Sequence, residues 1–188
     1  GKPARILGVQ SGGVSYGHRF HAPKALRISS PGSYVNALRS RGYVLADFDE
    51  RREAIRVGIA ETARLLNGQA VVTEELLDEV TALVEWPVPM AGHFDARFLD
   101  LPREVLIATL QDHQRYFPVQ ENVQEGESAN AAPRLLPHFI AVANLESRDP
   151  EQVRMGNERV VRPRLSDATF FYETDRKQPL ASRSAELA

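Results

Sequence analysis

The heptapeptide HFIAVAN, residues 138–144, constrains the fold of this chain more than any other segment. Successive side chains of a β-strand point to opposite faces of a sheet, and residues 139–143 are apolar at every position. A run of this kind is typical of a strand that is covered on both faces. We therefore expect a strand with other elements packed on both of its sides.

Three amphipathic helices are predicted from their caps and apolar stripes. Asp47 or Asp49 can cap the first helix, Thr73 can cap the second, and Pro102 suits the first turn of the third. Gly68 lies just beyond the end of the first helix, where glycine is common. The predicted core-facing residues, at helical spacing, are Ile55, Ile59, Ala63 and Leu66, then Leu76, Leu77, Val80, Leu83 and Val84, then Val105, Leu106, Thr109 and Leu110.

Short strands are predicted between these helices and before them. Pro87 and Pro89 lack the N–H that a strand ladder requires, so EWPVPMAGHF is predicted to be an edge strand. The segments YFPV, YVLADF, ARILGV and VSYGHRF also have strand patterns, and the glycines of QSGGVSYG are predicted to form a hairpin turn between the last two.

Two further helices are predicted from their first residues. Pro31, after Ser30, opens a short helix that ends at Gly42. Asp149 and Gln152 form a capping box at DPEQ, and this helix is expected to be interrupted at Gly156 and Asn157. The residues of the short helix that are predicted to face inward are Tyr34, Val35 and Leu38. The whole pattern indicates one α+β unit with mixed sheets flanked by helices, and residues 121–134 are predicted to form a polar surface loop.

Charge and composition exclude several classes of protein. The chain has 23 basic and 25 acidic residues, a net charge of -2, so any contact with phosphate must come from a local patch. The absence of cysteine excludes disulfides and thiolate metal sites. No apolar run reaches the roughly 18 residues of a membrane span, and the start lacks a signal peptide, so we expect a cytoplasmic protein without membrane contacts. The chain starts without a methionine, which suggests a piece of a longer polypeptide.

No catalytic constellation is predicted. The sequence lacks the phosphate loop, the dinucleotide fingerprint and the nucleophile elbow. His18 and His21 are three residues apart on a predicted strand, so their rings should point to opposite faces, which disfavours a metal site. His113 is predicted to be a hydrogen-bonded core histidine.

The stretch GNERVVRPRLSDATFFYETDRK, residues 156–177, is the main candidate for nucleic-acid binding. Arginine can grip phosphate with a planar fork of donors, and aromatic rings can stack on bases. On a helix the three consecutive rings spread over more than half of the circumference, which favours packing against a further domain or subunit. Arg164 can pair with Asp167, whereas Arg159 and Arg162 have no obvious local partner and can face phosphate, another domain or solvent.

A second polar group lies in QDHQRYF. Gln111, Gln114 and Arg115 share a helical stripe, and Tyr116 and Phe117 follow directly, so amides, a guanidinium and two rings emerge at one end of the helix. Such a group can meet RNA backbone or bases, and an ordinary solvated helix end is the alternative.

At these residues the sequence becomes familiar. The stretch at residues 156–177, together with LLDEVTALVEWPV, LPREVLIATLQDHQRYFPV, LLPHFIAVANLES and GHRF, resembles the beta subunit of bacterial heterotetrameric glycyl-tRNA synthetases. The five runs stand in the order of that family and extend over residues 8–180. The loop at residues 121–134 is longer than the short turn of the family.

The resemblance implies an internal fragment of that subunit. It implies an editing-domain-like α+β domain over residues 1–162, resembling the editing-type domain of the phenylalanyl-tRNA synthetase beta subunit, and a helix over residues 163–188 that leads toward an HD-type helical domain. The implied partners are glycine tRNA, the alpha subunit and the remaining domains of the beta subunit. ATP, with magnesium, is used by the alpha subunit, so no cofactor is expected in this fragment.

The function predicted from the residues and the resemblance together is a non-catalytic tRNA-binding and assembly domain. The alternatives are an active deacylase for mischarged tRNA and a pure inter-domain interaction module. We assign no hydrolytic residue, because a second sieve normally admits substrates smaller than the cognate one and glycine is the smallest amino acid. The candidates for contact with tRNA or with neighbouring domains are Arg19, Arg115, Arg159, Arg162 and Arg164.

Overall fold

The computed structural model describes residues 4–122 and 132–177 and has an α+β fold, as predicted. Most of the predicted loop at residues 121–134 lies outside the described residues. The strands are β1 (Arg5–Ile6), β2 (Val9–Gln10), β3 (Val14–Tyr16), β4 (Ala25–Arg27), β5 (Gly68–Ala70), β6 (Val88–His93), β7 (Phe117–Glu121) and β8 (Leu135–Ala143). The helices are α1 (Tyr34–Ala37), α2 (Phe48–Leu65), α3 (Glu74–Leu83), α4 (Arg103–Gln114) and α5 (Pro150–Lys177), and shorter helical turns cover Pro31–Ser33, Leu38–Gly42 and Ala96–Asp100. Among these described helices, none is long and apolar enough to cross a membrane.

The main sheet has four strands in the order β5-β7-β8-β6. Its strand β6 is an edge strand, as the two prolines of EWPVPMAGHF predicted. Every pairing between the described strands is antiparallel, so the prediction of mixed sheets was wrong. The two central strands β7 and β8 run antiparallel to each other, and each edge strand runs opposite to the central strand that it pairs with.

Strand β8 is covered on both faces, which confirms the expectation from HFIAVAN. Ile140 packs into one core with α2 and α3, and Phe139 and Ala141 pack into a second core with α4 and α5. Phe139 and Ile140 are fully buried. The sheet therefore separates two cores, and the second one carries the helix with the arginine-rich stretch.

Capping hydrogen bonds confirm the predicted starts of α2 and α3. Asp47 Oδ1 accepts from the N–H of Glu50 at 2.9 Å, and Thr73 Oγ1 accepts from Leu76 at 3.2 Å. Of the predicted core residues of α2, α3 and α4, only Leu83 is exposed, because it faces away from the sheet at the end of α3. The local sequence pattern thus places these three helices correctly.

Several predictions for residues 4–46 were wrong. ARILGV forms a tight hairpin of β1 and β2 instead of one strand, with Leu7 and Gly8 at positive φ in the turn. The partner of β3 is β4, so QSGG does not turn between paired strands.

YVLADF forms no strand, because Tyr43 takes a left-handed conformation and the N–H of Leu45 donates to the carbonyl of Glu85. The short helix buries Leu38 but leaves Tyr34 and Val35 exposed, because those two residues face away from the rest of the chain.

Helix α5 is continuous through Gly156, Asn157 and Pro163, so the predicted interruption was wrong. Asp149 caps it, with Oδ1 accepting from the N–H of Gln152 at 3.1 Å. Burial of one helical face outweighs the weak helix propensity of these residues, and Asn157 accepts a hydrogen bond from the hydroxyl of Tyr116 at 2.8 Å. The division of the chain at residue 163 stays a prediction.

Helices α2 and α3 are joined by an exposed ion-pair network around Glu74. Arg56 donates to both carboxylate oxygens of Glu74, at 3.1 and 2.8 Å, and Arg52 contacts Glu74 and Asp78. The hydrogen bonds from Arg56 and then Arg52 lower the pKa of Glu74 from 4.5 to about 2. The carboxylate therefore favours the folded state only while it is ionised.

We expect the stability contributed by Glu74 to be present above pH 4.5 and to be lost as the pH falls toward 2, since its pKa in the folded state lies below the value in the unfolded chain. The variant Glu74→Gln should be less stable than the parent at pH 6, and the difference should shrink between pH 4.5 and 2. Urea midpoints measured across this range test the expectation. Glu75→Gln is the control, since Glu75 has no ion pair within the described chain, and an equal pH dependence of both variants would contradict the assignment.

Candidate nucleic-acid interface

The arginine-rich stretch is held in place by one buried face of α5. Val161 and Leu165 are almost fully buried in the core on the Phe139 side of the sheet, and Ala168 and Tyr172 pack against the same core. These four residues are spaced by three or four positions, as expected for a single helical face. The opposite face of α5 is therefore presented to the surroundings.

Arg159 and Arg162 lie together on the exposed surface of α5. Both side chains line an open depression of about 350 Å³, together with Met155 and Gly156. Their directions on the helix differ by about 60°, whereas Arg164 points about 140° away from Arg159. The structure therefore groups two of the five candidate arginines and separates Arg164 from them.

The predicted ion pair of Arg164 with Asp167 is wrong. Both residues are exposed, and neither forms an ion pair with another described residue. An exposed pair of this kind is worth only about 0.3–0.5 kcal/mol, so packing does not enforce it. Arg159 and Arg162 likewise have no ion-pair partner among the described residues.

Glu158, the acidic residue that lines this depression with the arginine pair, is already engaged. Glu158 accepts hydrogen bonds from Arg154 at 2.6 Å and from the backbone N–H of His93 at 3.2 Å, and its Oε1 lies 2.7 Å from His93 Nδ1. Burial lowers the pKa of His138, which pairs with His93 across the sheet, and His93 lowers it further. The charge that remains on this part of the outward face is therefore positive.

Arg115 is engaged within the protein. It ends α4 in a left-handed conformation, with φ of 59°, and its guanidinium contacts Glu79 and the carbonyl oxygens of Gln111 and Asp112. Gln111 is buried and donates to the carbonyl of Val71 at 2.9 Å. Two of the three residues of the predicted polar stripe, Gln111 and Arg115, are thus bound to the chain itself.

Arg19 is exposed in the loop between β3 and β4, where its guanidinium lies 5.7 Å from the centre of the Phe20 ring. The prediction that His18 and His21 point to opposite faces was wrong, because this loop is not a strand and the two ring centres are 4.9 Å apart. His113 was predicted to lie in the core but is exposed. Within the described chain, no three metal-ligating side chains are grouped as a metal site would require.

The three consecutive rings of α5 have different environments. Tyr172 is partly buried against the core, whereas Phe170 and Phe171 are 64% and 63% exposed and contact each other edge to face. Met155 and Val160 are also exposed on this helix. The helix therefore shows a mixed apolar and basic surface, as its sequence predicted.

Phe20 is a candidate residue that the sequence reasoning missed. Phe20 follows Arg19 directly and is 70% exposed, and Tyr16 at the end of β3 is also 70% exposed. An available signal was the alternation of rings and cations in SYGHRF, which is typical of surfaces that bind single-stranded nucleic acid.

Comparison with known proteins assigns the chain to a family. The family profile described as glycyl-tRNA synthetase beta subunit matches residues 2–188. Curated proteins named glycine–tRNA ligase beta subunit are similar to it: the one from Marinobacter nauticus is 52% identical over 185 residues, covering 98% of this chain and 25% of that protein. The relatives from Azotobacter vinelandii and Hahella chejuensis are 55% and 50% identical, each covering 97% of this chain and 25% of the relative. The chain thus spans about a quarter of the length of the curated relatives it matches, and it belongs to the glycyl-tRNA synthetase beta-subunit family.

Proposed function

We propose that this chain is a non-catalytic domain that binds tRNA and supports the assembly of a glycine–tRNA ligase. The observation that carries this proposal is the pair of Arg159 and Arg162, which are exposed on one face of α5 without an ion-pair partner in the described chain. Guanidinium groups bind phosphate in a planar, bidentate manner. In this proposal the alpha subunit uses ATP and magnesium to attach glycine, and this chain carries no cofactor.

The assembly part of the proposal rests on the exposed apolar residues of α5. Phe170 and Phe171 lie beyond the arginine pair on the same helix, and apolar rings of this size are seldom left in water. The alpha subunit and the remaining domains of the beta subunit are the proposed partners for this end of the helix. The relatives are about four times as long as this chain, so the same polypeptide has ample length to supply such a domain.

Two finer parts of the proposal concern the fold and its division. The family resemblance supports a relationship of residues 1–162 to the editing-type domain of the phenylalanyl-tRNA synthetase beta subunit, and superposition of the two structures tests it. The same resemblance supports an HD-type helical domain after residues 163–188. No feature of residues 4–122 and 132–177 favours hydrolysis of mischarged tRNA, so the deacylase alternative is not proposed.

Charge reversal of the arginine pair tests the proposal in the assembled ligase. The double variant Arg159→Glu, Arg162→Glu is expected to weaken tRNA binding by tenfold or more. It should also lower the slope of log affinity against log salt by about two units, because binding releases about one counterion fewer for each phosphate contact that is lost. The affinity of glycine tRNA would be measured at several salt concentrations.

Arg164→Glu is the matched control for this experiment, since it makes the same charge change on another side of the same helix. It should change the affinity and the salt slope much less than the double variant. If the double variant binds tRNA with the parental affinity and slope, these arginines do not contact tRNA and the proposal is wrong. Subunit assembly, measured by light scattering, separates a loss of RNA contacts from a loss of the complex.

A further inference from the structure

The first 46 residues of the chain contain no aspartate or glutamate. The same segment contains seven basic residues, whereas the other 142 residues contain 16 basic and 25 acidic residues. The net charge of -2 is therefore the sum of a strongly basic segment and an acidic one. The seven basic residues are Lys2, Arg5, Arg19, Lys24, Arg27, Arg39 and Arg41.

In the structure, residues 4–46 form an N-terminal lobe, made of the hairpins β1–β2 and β3–β4 and the short helix α1. Neither hairpin pairs with the four-stranded sheet. Arg39 forms an ion pair with Glu50, and Arg41 donates to the carbonyl of Arg27 at 3.1 Å. The remaining basic side chains of the lobe that the structure describes have no ion-pair partner within residues 4–122 and 132–177; they belong to Arg5, Arg19, Lys24 and Arg27.

Exposed rings accompany these cations. Tyr16 and Phe20 are each 70% exposed, and the guanidinium of Arg19 lies over the ring of Phe20. An acidic protein partner would also use both the cations and the rings, and dissociation of the subunits by a ring variant would identify it. Unpaired bases stack on such rings, and the phosphates between them attract the cations.

A buried histidine fixes the loop that displays Arg19 and Phe20. The His18 ring is 1% exposed, and its Nδ1 accepts from the backbone N–H groups of Phe20 and His21, both at 3.3 Å. The N–H of Ala22 donates to the carbonyl of His18 at 2.8 Å, which closes the turn. Arg19 and Phe20 are therefore held outward by the fold of the loop.

The lobe is also tied to the rest of the protein. The N–H of Glu146, in the segment before α5, donates to His21 Nε2 at 3.0 Å. The His21 ring stacks on Tyr43 with centres 4.9 Å apart, and Tyr43 meets the edge of Trp86. The lobe is thus positioned by the body of the domain.

We propose that the N-terminal lobe binds a single-stranded segment of RNA, with Tyr16 and Phe20 stacking on bases and Arg19, Lys24 and Arg27 contacting phosphates. This inference rests on the proposed function and deepens it, because a tRNA offers unpaired nucleotides at its 3′ end and in its loops. It places a second RNA contact on a surface distinct from the arginine pair of α5.

The test compares single-residue variants in the full-length ligase, with fluorescent oligouridine, an RNA duplex of equal length and glycine tRNA as the probes. Phe20→Ala is expected to weaken oligouridine binding about tenfold, the usual loss for one stacked base, and to leave duplex binding unchanged. Phe20→Tyr keeps the ring and should bind as the parent does. Arg19→Glu should weaken the binding of both oligouridine and duplex, because it acts on phosphate contacts. Parental oligouridine binding by Phe20→Ala overturns the proposal.

The outcomes separate this inference from the proposed function. If Phe20→Ala and Arg19→Glu bind tRNA as the parent does while the Arg159 and Arg162 double variant is impaired, the lobe inference is wrong and the proposed function stands. If all three bind as the parent does, both are wrong. If Phe20→Ala instead dissociates the subunits, the ring contacts protein and the inference is overturned. Phe20 is exposed, so thermal melting of Phe20→Ala should match the parent and exclude misfolding.

Discussion

Replacing Phe139 by alanine is expected to lower the free energy of unfolding by about 3–5 kcal/mol. Phe139 is fully buried in the central strand β8, and its ring stacks on Tyr116 with centres 4.9 Å apart and planes 10° apart. The truncation removes most of this packing and leaves a cavity beneath α5. Urea unfolding of the purified chain, followed by circular dichroism, measures the loss.

Phe171→Ala is the matched control for this prediction, since it removes the same ring from a position that is 63% exposed. Its effect should stay within about 0.5 kcal/mol, as for most surface substitutions. Equal losses for the two variants would mean that Phe139 is not the packing centre of this core. An unchanged slope of the urea transition would show that both variants unfold from the same compact state.

The core around Phe139 matters for function because it holds the base of α5. Val161 and Leu165 share that core with Phe139, and Arg159 and Arg162 lie on the same turns of the helix. A variant that loosens this core should therefore also loosen the presentation of Arg159 and Arg162. The binding experiments need surface variants for this reason, since a core variant would change the stability of the fold and the affinity for RNA together.

The layered body of the domain could be predicted from local sequence. Asp47, Thr73 and Asp149 cap the helices they were expected to cap, because a short polar side chain before an apolar stripe is a strictly local signal. The apolar run at residues 139–143 predicted a strand covered on both faces, and this signal is also local, because it depends only on consecutive residues. Hydrophobic spacing and caps depend on a few neighbouring residues and survive in any surrounding fold.

The parts that could not be predicted depend on contacts between distant residues. Arg115 contacts Glu79, which lies 36 positions earlier in the chain, so no local pattern could show that its guanidinium is engaged. Gly156 and Pro163 weaken a helix locally, yet burial of Val161 and Leu165 keeps α5 continuous. The strands of the N-terminal lobe have only two or three residues, too few for an alternation of apolar and polar positions to be read.

The two proposed RNA contacts differ in what they can recognise. The arginine pair of α5 offers donors for phosphate, and the N-terminal lobe adds rings that suit unstacked bases. A tRNA that contacts both surfaces would bind more tightly than a ligand that contacts one, because the second contact forms at a high effective concentration once the first has formed. A variant of one surface should consequently weaken tRNA binding by at most the factor by which it weakens a short oligonucleotide that reaches only that surface.

Gly92→Ala is expected to destabilise the fold by about 1–3 kcal/mol, through overpacking of the same core. A Cβ at Gly92 would lie 2.7 Å from Cε2 and 2.8 Å from Cε1 of Phe139, and closer still to its Cζ. Gly92 pairs with Phe139 on the neighbouring strand, and the tip of the Phe139 ring occupies the space that a side chain at residue 92 would need. The ring stacks on Tyr116 on one side, so it cannot move away without losing that contact.

Gly156→Ala supplies the matched control, because a Cβ at Gly156 meets no atom of the described residues within 4 Å. Alanine in the interior of α5 should stabilise the chain by up to about 1 kcal/mol, so the two glycine variants are expected to shift the urea midpoint in opposite directions. In a Phe139→Ala background the added methyl at residue 92 would occupy space that the ring has left. The loss of unfolding free energy caused by Gly92→Ala should then largely disappear. A penalty that persists there would come from the backbone of β6 rather than from the ring, and would contradict the packing explanation.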